Sequence, residues 1–212
     1  MAKKVGILGG TFNPVHLGHI ILAYDAMEHF RLDELLFLPC SSPPHKQARN
    51  MALAGHRLAM LKAAVRPEPR FKVLSLEIER GGKSYSVDTL KALKAERPSD
   101  RFFFVIGADM LLELHTWKNV YELLELCEFV TMDRPGSSLK SLRRGGLKLH
   151  APWPGRLRKN IFKGHRVDIS SSEIRKRVAK GRPFRHLVPP AVERYILANK
   201  LYRTKESRRS KR

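Results

Sequence analysis

Short apolar runs alternate along this chain with stretches in which apolar residues recur every three or four positions. The clearest runs are residues 5–8, 35–38, 102–106 and 129–132. Runs of this length predict buried β-strands, and the periodic stretches between them predict helices. Strands that alternate with helices are typical of βαβ units and a parallel sheet. The pattern therefore predicts an α/β protein in which the most apolar run, residues 102–106, is a central strand.

The remaining segments carry weaker patterns. Residues 71–78 alternate between apolar and polar positions, which predicts a strand, and we expect a last strand at residues 165–169. Three- and four-residue spacing predicts helices at residues 55–65 and 87–96. For the second of these helices, Ser86 is the predicted N-cap, because a serine hydroxyl can accept a hydrogen bond from a first-turn amide.

Length and composition define the domain organisation. A chain of 212 residues, of which 42% are hydrophobic, is long enough for one domain with a sizeable core. We assign the domain to residues 1–202 and predict that residues 203–212 are a disordered basic tail. The apolar runs are shorter than a membrane span, so we expect no membrane partner. Two distant cysteines, Cys40 and Cys127, favour a cytoplasmic location over an oxidising compartment.

The charge of the chain is strongly positive, with 41 Lys and Arg against 20 Asp and Glu and a formal net charge of +21. Residues 143–166 carry eight basic residues and no acid, and residues 203–212 carry six basic residues and one acid. The wider stretch 137–166 shows no periodicity, which predicts a long loop or weak peripheral strands. This charge favours anionic ligands and leaves open a secondary nucleic-acid contact by the basic loop and tail. A solvated tail equally explains residues 203–212.

The stretch Gly-Gly-Thr-Phe-Asn-Pro-Val-His-Leu-Gly-His occupies residues 9–19. It follows the first predicted strand and precedes a helix whose predicted buried face includes Tyr24 and Met27. Glycines in such a turn allow a ligand to approach the backbone, and the N–H groups of a helix start attract anions. His16 and His19 are three residues apart, so both rings can face one side. The stretch predicts a phosphate pocket with two hydrogen-bond donors. The alternatives are a structural turn with solvated histidines, or a zinc site, for which no third ligand stands at a recognisable spacing.

This stretch resembles the nucleotidyltransferase signature with its His-x-Gly-His core, and the chain is similar to the bacterial nicotinate-mononucleotide adenylyltransferases. Pro-Pro-His-Lys at residues 43–46, Gly-Ala-Asp at 107–109, Thr-Trp at 116–117 and Ile-Ser-Ser-Ser-x-x-Arg at 169–175 follow in the family's order. The resemblance covers about residues 4–202. It implies a Rossmann-like nucleotidyltransferase fold, with a parallel sheet and helices on both faces.

The resemblance implies transfer of the adenylyl group of ATP to nicotinate mononucleotide, giving deamido-NAD and pyrophosphate in NAD biosynthesis. The attacking phosphate is already anionic at neutral pH, because its second pKa is about 6, so no side-chain base is required. Mg²⁺ would accompany ATP, and no protein metal ligands are expected. His16 and His19 are the expected catalytic residues, which would stabilise charge at the α-phosphate. The expected ATP contacts are Gly9, Gly10, Thr11, Phe12, His16, His19, Ser171, Ser172 and Arg175. The expected contacts with nicotinate mononucleotide are His45, Lys46, Tyr85, Ser86, Asp109, Trp117 and Arg134.

Several of these residues also have a structural interpretation. Asp109 could be a helix N-cap, and Trp117 could be a core aromatic residue. Ser170 and Glu173 form a capping-box pattern, which accounts for both residues without a ligand. The capping box does not account for Arg175, because the helix dipole disfavours a cation near a helix start unless an anion binds there too.

The chain departs from the family pattern at a few positions. Asn13 stands in place of the commoner aspartate, His115 in place of proline, and Ser86 and Ser172 in place of threonines. Two other functions stay open. One is nucleotide transfer to phosphopantetheine or to an alcohol phosphate by another superfamily member. The other is nucleic-acid binding through the positive charge. A homo-oligomer is compatible with the sequence.

Overall fold

The structure is a computed structural model that describes residues 2–41, 51–133 and 146–203. Six strands pair in parallel within these residues: β1 (Lys4–Gly10), β2 (Glu34–Pro39), β3 (Phe71–Val73), β4 (Arg101–Gly107), β5 (Glu128–Asp133) and β6 (Ile161–Lys163). Their order across the sheet is β3-β2-β1-β4-β5-β6, so the strand order reverses between β1 and β4. Open parallel sheets bind ligands at the carboxyl ends of the strands at such a reversal point.

Helices cover both faces of the sheet, as the resemblance implied. Successive strand residues point to opposite faces, so that Ile7 lies in one hydrophobic cluster and Leu8 in the other. The helices are α1 (Leu17–Phe30), α2 (Ala54–Val65), α3 (Leu76–Arg80), α4 (Ser86–Glu96), α5 (Ala108–Glu113), α6 (Val120–Leu126), α7 (Trp153–Lys159), α8 (Ser171–Ala179) and α9 (Pro190–Ala198). Residues of α1, α2, α8 and α9 pack in the cluster of Leu8, and residues of α4 to α7 pack in the cluster of Ile7.

The strand predictions from long apolar runs are confirmed, whereas those from weaker patterns are confirmed only in part: the start of 71–78 is a strand, and the edge strand β6 lies within 137–166, but 165–169 is not a strand. Residues 165–169 are not a strand, and at their first residue the backbone N–H of His165 donates to the Asp25 carboxylate at 2.8 Å instead of to a neighbouring strand. The predicted strand 71–78 ends at Val73, and the helix α3 follows it. The stretch 137–166 contains α7 and β6, which are too short to produce a periodic pattern.

The buried face of α1 also differs from the prediction. Tyr24 is 43% exposed and lies against the ring of Phe71 at 4.8 Å, whereas Asp25 is buried. The Asp25 carboxylate receives the backbone N–H of His165 and contacts its Nδ1 at 2.6 Å. A side chain on Gly164 would collide with this carboxylate, since an added Cβ would lie 2.5 Å from the Asp25 Oδ2. The connection after β6 is thus fixed to α1 by a polar contact.

The contact between His165 and Asp25 predicts a pH-dependent contribution to stability. The hydrogen bond to Asp25 raises the pKa of His165 above its ordinary value of 6.5. The stabilisation is therefore complete below pH 6.5 and is lost as the pH rises through the raised pKa of the folded state. We expect His165→Gln to reduce the free energy of unfolding more at about pH 5 than at about pH 9, by a small amount because solvent screens this exposed ring. Urea unfolding of the wild type and of His165→Gln at the two pH values measures the loss of unfolding free energy. An equal loss at both pH values would contradict the prediction.

Candidate active site

The turn between β1 and α1 brings the two histidines together at the carboxyl end of a central strand. His16 is the N-cap residue of α1, with extended backbone, and its ring is buried. The rings of His16 and His19 lie 3.7 Å apart between centroids, at an interplanar angle of 32°. The backbone N–H of His16 donates to Nδ1 of His19 at 3.2 Å. Because Nδ1 accepts this bond, the neutral ring of His19 carries its proton on Nε2, which makes Nε2 a hydrogen-bond donor.

Close packing in this turn explains its small and aromatic residues. Phe12 is buried and has a left-handed backbone conformation with φ of 46°. Its ring stands edge-on to His19 with 5.0 Å between centroids. An added Cβ on Gly10 would lie 3.1 Å from the Phe12 ring, and one on Gly18 would lie 3.1 Å from Nδ1 of His16. These two glycines therefore leave space for the rings that hold the histidines in place.

The second sequence motif, at the start of α8, packs directly against this turn. The Ser171 hydroxyl donates to the carbonyl of Pro14 at 2.8 Å. Arg175 donates to the carbonyl of Asn13 at 2.8 Å and to the hydroxyl of Ser172 at 3.2 Å. The two end motifs, far apart in the chain, thus form one site, and Arg175 brings a positive charge to the histidine turn. This contact with Asn13 gives Arg175 a structural role that the sequence pattern did not reveal.

The capping interpretation of α8 is confirmed for its serine. The Ser170 hydroxyl accepts the backbone N–H of Glu173 at 3.1 Å, as an N-cap does. The Glu173 carboxylate pairs with Arg177 at 3.6 Å, so this cation of the helix has a partner within the same helix.

Asn13 is a junction between distant parts of the chain. Its side-chain oxygen accepts the hydroxyl of Tyr202 at 2.8 Å and the backbone N–H of Ala52 at 3.1 Å. Burial raises the pKa of Tyr202, so its hydroxyl stays protonated as a donor. Sequence reasoning did not find Tyr202, because nothing near it in the chain marks a partner.

The expected acceptor side lies at the start of α4. The helix begins at Ser86, and its N-cap is Tyr85, so the prediction of Ser86 as N-cap is wrong. Amides of Asp88 and Thr89 donate to the carbonyl of Tyr85, and those of Ser86 and Val87 precede them at the helix start. Tyr85 has an extended backbone, and its side chain makes no capping hydrogen bond, so the backbone alone orients the first-turn amides.

Lys118, which sequence reasoning assigned no role, adds a positive charge to this helix start. Its Nζ lies 4.3 Å from the centroid of the Tyr85 ring and 3.4 Å from a carboxylate oxygen of Asp88. The contact also places the loop that carries Trp117 beside α4. The Trp117 ring is partly buried and packs edge-on against Phe104 at 5.8 Å, so it lies at the margin of the cluster of Ile7, while its binding of substrate stays a prediction.

A buried polar network supports the turn before α4. The Glu77 carboxylate accepts the hydroxyl of Thr89 at 3.1 Å, and both residues are buried. Burial raises the pKa of Glu77, and hydrogen bonds from Thr89 and Ser84 partly oppose that effect. Ser84 in turn accepts the backbone N–H of Ser41 at 3.3 Å. The network therefore joins the turn before α4 to the carboxyl end of β2.

The structure places Asp109 near the same edge of the sheet, in the first turn of α5. Gly107 is the N-cap of this helix, so the interpretation of Asp109 as an N-cap is wrong. An added Cβ on Gly107 would meet no atom within 4 Å, so this position faces open space. His45, Lys46 and Arg134 lie outside the described residues.

Within residues 2–41, 51–133 and 146–203, no three His, Cys, Asp or Glu side chains form a group that could hold a metal ion. In the same part of the chain, no helix is both long and apolar enough to cross a bilayer.

Comparison with known proteins identifies the family. The sequence profile of the family described as Cytidylyltransferase-like matches residues 7–177. A protein of Halalkalibacterium halodurans, named probable nicotinate-nucleotide adenylyltransferase, is 43% identical over 98% of this chain and 95% of its own length. A protein of Shouchella clausii with the same name is 43% identical over 94% of this chain and 97% of its own length. This chain belongs to the nicotinate-nucleotide adenylyltransferase family.

Solved structures confirm the fold expected for this adenylyltransferase family. The Plasmodium falciparum nicotinic acid mononucleotide adenylyltransferase, complexed with NaAD, matches with a TM-score of 0.71 at 20% identity, over 94% of this chain and 97% of that one. A putative nicotinate-nucleotide adenylyltransferase from Vibrio parahaemolyticus matches with a TM-score of 0.67 at 19% identity, over 96% of this chain and 97% of that one. The predicted Rossmann-like nucleotidyltransferase fold is therefore confirmed.

Proposed function

We propose that this chain transfers the adenylyl group of ATP to nicotinate mononucleotide, forming deamido-NAD and releasing pyrophosphate. The observation that carries this proposal is the closely packed pair His16 and His19 at the carboxyl end of β1, where the sheet order reverses, with Arg175 from α8 bonded to the same turn. Helix-start amides, imidazole donors and an arginine form a site for a polyphosphate. The family relationship supports the same reaction.

In the proposed mechanism, the mononucleotide phosphate attacks the α-phosphorus of ATP, and the bond to the pyrophosphate oxygen breaks. The attacking oxygen is anionic near neutral pH, so the protein supplies orientation and charge stabilisation rather than a base. His19 donates from Nε2 to an α-phosphate oxygen as negative charge develops there. His16 packs closely against this ring, and its backbone N–H holds Nδ1 of His19. Arg175 offsets the repulsion between the two anionic substrates.

The remaining proposed contacts follow from where the residues lie. Gly9 and Gly10 end β1, and Thr11 and Phe12 begin the turn that follows it. With Ser171 and Ser172, these four residues are assigned to ATP. Tyr85 and Ser86 lie at the start of α4, Asp109 lies in the first turn of α5, and Trp117 is next to Lys118, which contacts Tyr85. With His45, Lys46 and Arg134, these residues are assigned to the mononucleotide. Mg²⁺ would be held by the phosphate oxygens of ATP, because it prefers oxygen ligands and commonly binds through substrate phosphates, and it would supply charge neutralisation for the pyrophosphate. We place the reaction in the cytoplasm, in keeping with two free cysteines, Cys40 and Cys127.

Pyrophosphate release tests the proposal directly. The purified protein is incubated with ATP, Mg²⁺ and one acceptor at a time: nicotinate mononucleotide, phosphopantetheine or an alcohol phosphate. We expect pyrophosphate and deamido-NAD only with the mononucleotide. Turnover with another acceptor alone would assign the chain a different activity within the superfamily.

A groove at the opposite edge of the sheet favours nucleic-acid binding as a second candidate function. The groove has a volume of about 470 Å³ and lies where β4 and β5 begin, beside α7. Arg156 lies 4.9 Å from the centroid of the Trp153 ring within it. Its basic lining residues are Lys94, Arg101, Arg156 and Lys159. Trp153 is partly exposed, and cations beside an accessible aromatic ring are a common arrangement for binding single-stranded nucleic acid. We infer this role for the described part of the basic loop only; the tail beyond residue 203 lies outside the described residues.

Charge reversal in the groove provides a test of this second candidate. We expect Arg156→Glu with Lys159→Glu to weaken binding of a single-stranded RNA probe at least about tenfold, and to reduce the salt dependence, because two phosphate contacts are lost. Adenylyl transfer should stay unchanged, since the groove is at the far edge of the sheet. Fluorescence anisotropy at several salt concentrations measures binding. Equal affinities of the wild type and the double variant for the RNA probe would show that this groove does not bind nucleic acid.

A further inference from the structure

A buried arginine lies beneath the turn that carries the phosphate site. Arg57, near the start of α2, is completely buried. Its guanidinium donates to four backbone carbonyls: Nη1 to Thr11 at 2.9 Å and Cys40 at 2.8 Å, Nη2 to Ser41 at 2.8 Å, and Nε to Ala52 at 3.2 Å. Most buried arginines pair with a carboxylate, but none of the ion pairs within residues 2–41, 51–133 and 146–203 involves this one. The guanidinium therefore binds backbone carbonyls rather than a charged side chain.

Arg57 acts at the point where two neighbouring strands stop pairing. The parallel register of β1 and β2 ends with Gly10 opposite Pro39, and the N–H of Cys40 donates to the carbonyl of Gly10 at 3.0 Å. Thr11 then enters the histidine turn, whereas the chain after β2 leaves toward the acceptor side. Nη1 bonds to both chains at once. Beyond the last hydrogen bond between β1 and β2, the Arg57 side chain holds together the two segments that follow these strands.

The connection continues into the acceptor half through Ser41. The carbonyl of Ser41 accepts from Arg57, and its N–H donates to the hydroxyl of Ser84 at 3.3 Å. Ser84 opens the turn before α4 and belongs to the buried network of Glu77. A continuous set of hydrogen bonds therefore runs from Thr11, on the ATP side, through Arg57 and Ser41 to the turn assigned to the pyridine ring.

We propose that Arg57 is a positioning residue that sets the spacing between the ATP half and the acceptor half of the site; this inference rests on the proposed adenylyl transfer. In-line attack requires the acceptor phosphate and the α-phosphorus at a near-attack distance, and a displacement of about 1 Å can lower the rate about 100-fold. A planar guanidinium can bridge four carbonyls from three chain segments, whereas an ammonium group on a flexible stem cannot reproduce that geometry.

Arg57→Lys tests this role, with Arg97→Lys as a matched control. Arg97 also links strand ends, pairing with Asp100 at 2.6 Å and with Glu34, but at the amino-terminal edge of the sheet. We expect Arg57→Lys to lower kcat at least about tenfold, while the Kd for ATP alone and for the mononucleotide alone changes less than about threefold. Arg97→Lys should leave all three quantities unchanged. An unchanged kcat in Arg57→Lys, or losses matched by Arg97→Lys, would overturn the proposal.

Two further measurements remain decisive if Arg57→Lys is unstable or the substrate assignment fails. Ser84→Ala breaks the same connection at its outer end and leaves Arg57 in place; we expect lower kcat with unchanged ATP affinity, and unaltered kcat would count against the connection. Hydrogen exchange on peptides that include Thr11 and Ser41 requires no turnover. Faster exchange at both peptides in Arg57→Lys than in Arg97→Lys supports the role, and equal exchange refutes it. A wild-type protein that shows no adenylyl transfer would refute the proposed function, and hydrogen exchange would still test the role of Arg57.

Discussion

Replacement of His19 by alanine should lower kcat about 100-fold or more without unfolding the protein, which is the usual effect of losing one transition-state hydrogen-bond donor. The physical reason lies in the tautomer of the ring. The backbone N–H of His16 donates to Nδ1 at 3.2 Å, so Nε2 is the protonated nitrogen of the neutral ring. The closely packed ring of His16 and the edge-on ring of Phe12 hold that donor in one orientation. The donor then requires little reorganisation as charge develops on the α-phosphate.

Initial rates at saturating ATP and nicotinate mononucleotide measure this effect. We expect kcat to fall much more than the apparent affinity for ATP, because the bond strengthens mainly in the transition state. His29→Ala is a suitable control, since His29 lies in the last turn of the same helix and is exposed. A folded His19→Ala protein with wild-type kcat would remove His19 from the mechanism, whereas equal losses in both variants would indicate a helix defect.

The enzyme should prefer nicotinate mononucleotide over its amide counterpart by at least about tenfold to 100-fold in kcat/KM. The turn assigned to the pyridine ring leads into the first-turn amides of α4, at Ser86 and Val87. A carboxylate can accept from such amides and benefits from the positive end of the helix dipole. The amide would direct its NH₂ group at donors or leave it unpaired, and a buried unpaired polar group costs about 1–3 kcal/mol.

Lys118 allows a sharper version of this experiment. Its ammonium lies 4.3 Å from the Tyr85 ring and near Asp88, so it adds positive charge at the helix start. Lys118→Met should lower kcat/KM for the acid more than for the amide and so reduce the ratio between the two substrates. Lys91→Met is the control, because Lys91 also pairs with a carboxylate, that of Glu122, but lies in the middle of α4 rather than beside its start. Equal values of kcat/KM for the two mononucleotides in the wild type would contradict the assigned geometry.

The strands around the site could be predicted from sequence because strands in a parallel sheet are covered on both faces and therefore appear as continuous apolar runs. The run 102–106 became a central strand for this reason. The prediction failed where an element is short or its identity depends on distant partners. β3 has only three residues, so the strand predicted over 71–78 ends at Val73. In the predicted strand 165–169, the backbone N–H of His165 donates to the carboxylate of Asp25 rather than to a neighbouring strand.

The sequence by itself determined the α/β class, the family and the two motifs that supply His19 and Arg175, because each depends on residues close together in the chain. Only the tertiary structure decided which residues those motifs contact. Asn13 bonds to Tyr202 across 189 positions, and Arg57 bonds to Thr11 across 46. These partners are selected by the strand order and by the need of buried polar groups for hydrogen bonds. Neither condition leaves a local pattern, since the same arginine or tyrosine on the surface would appear identical in the sequence.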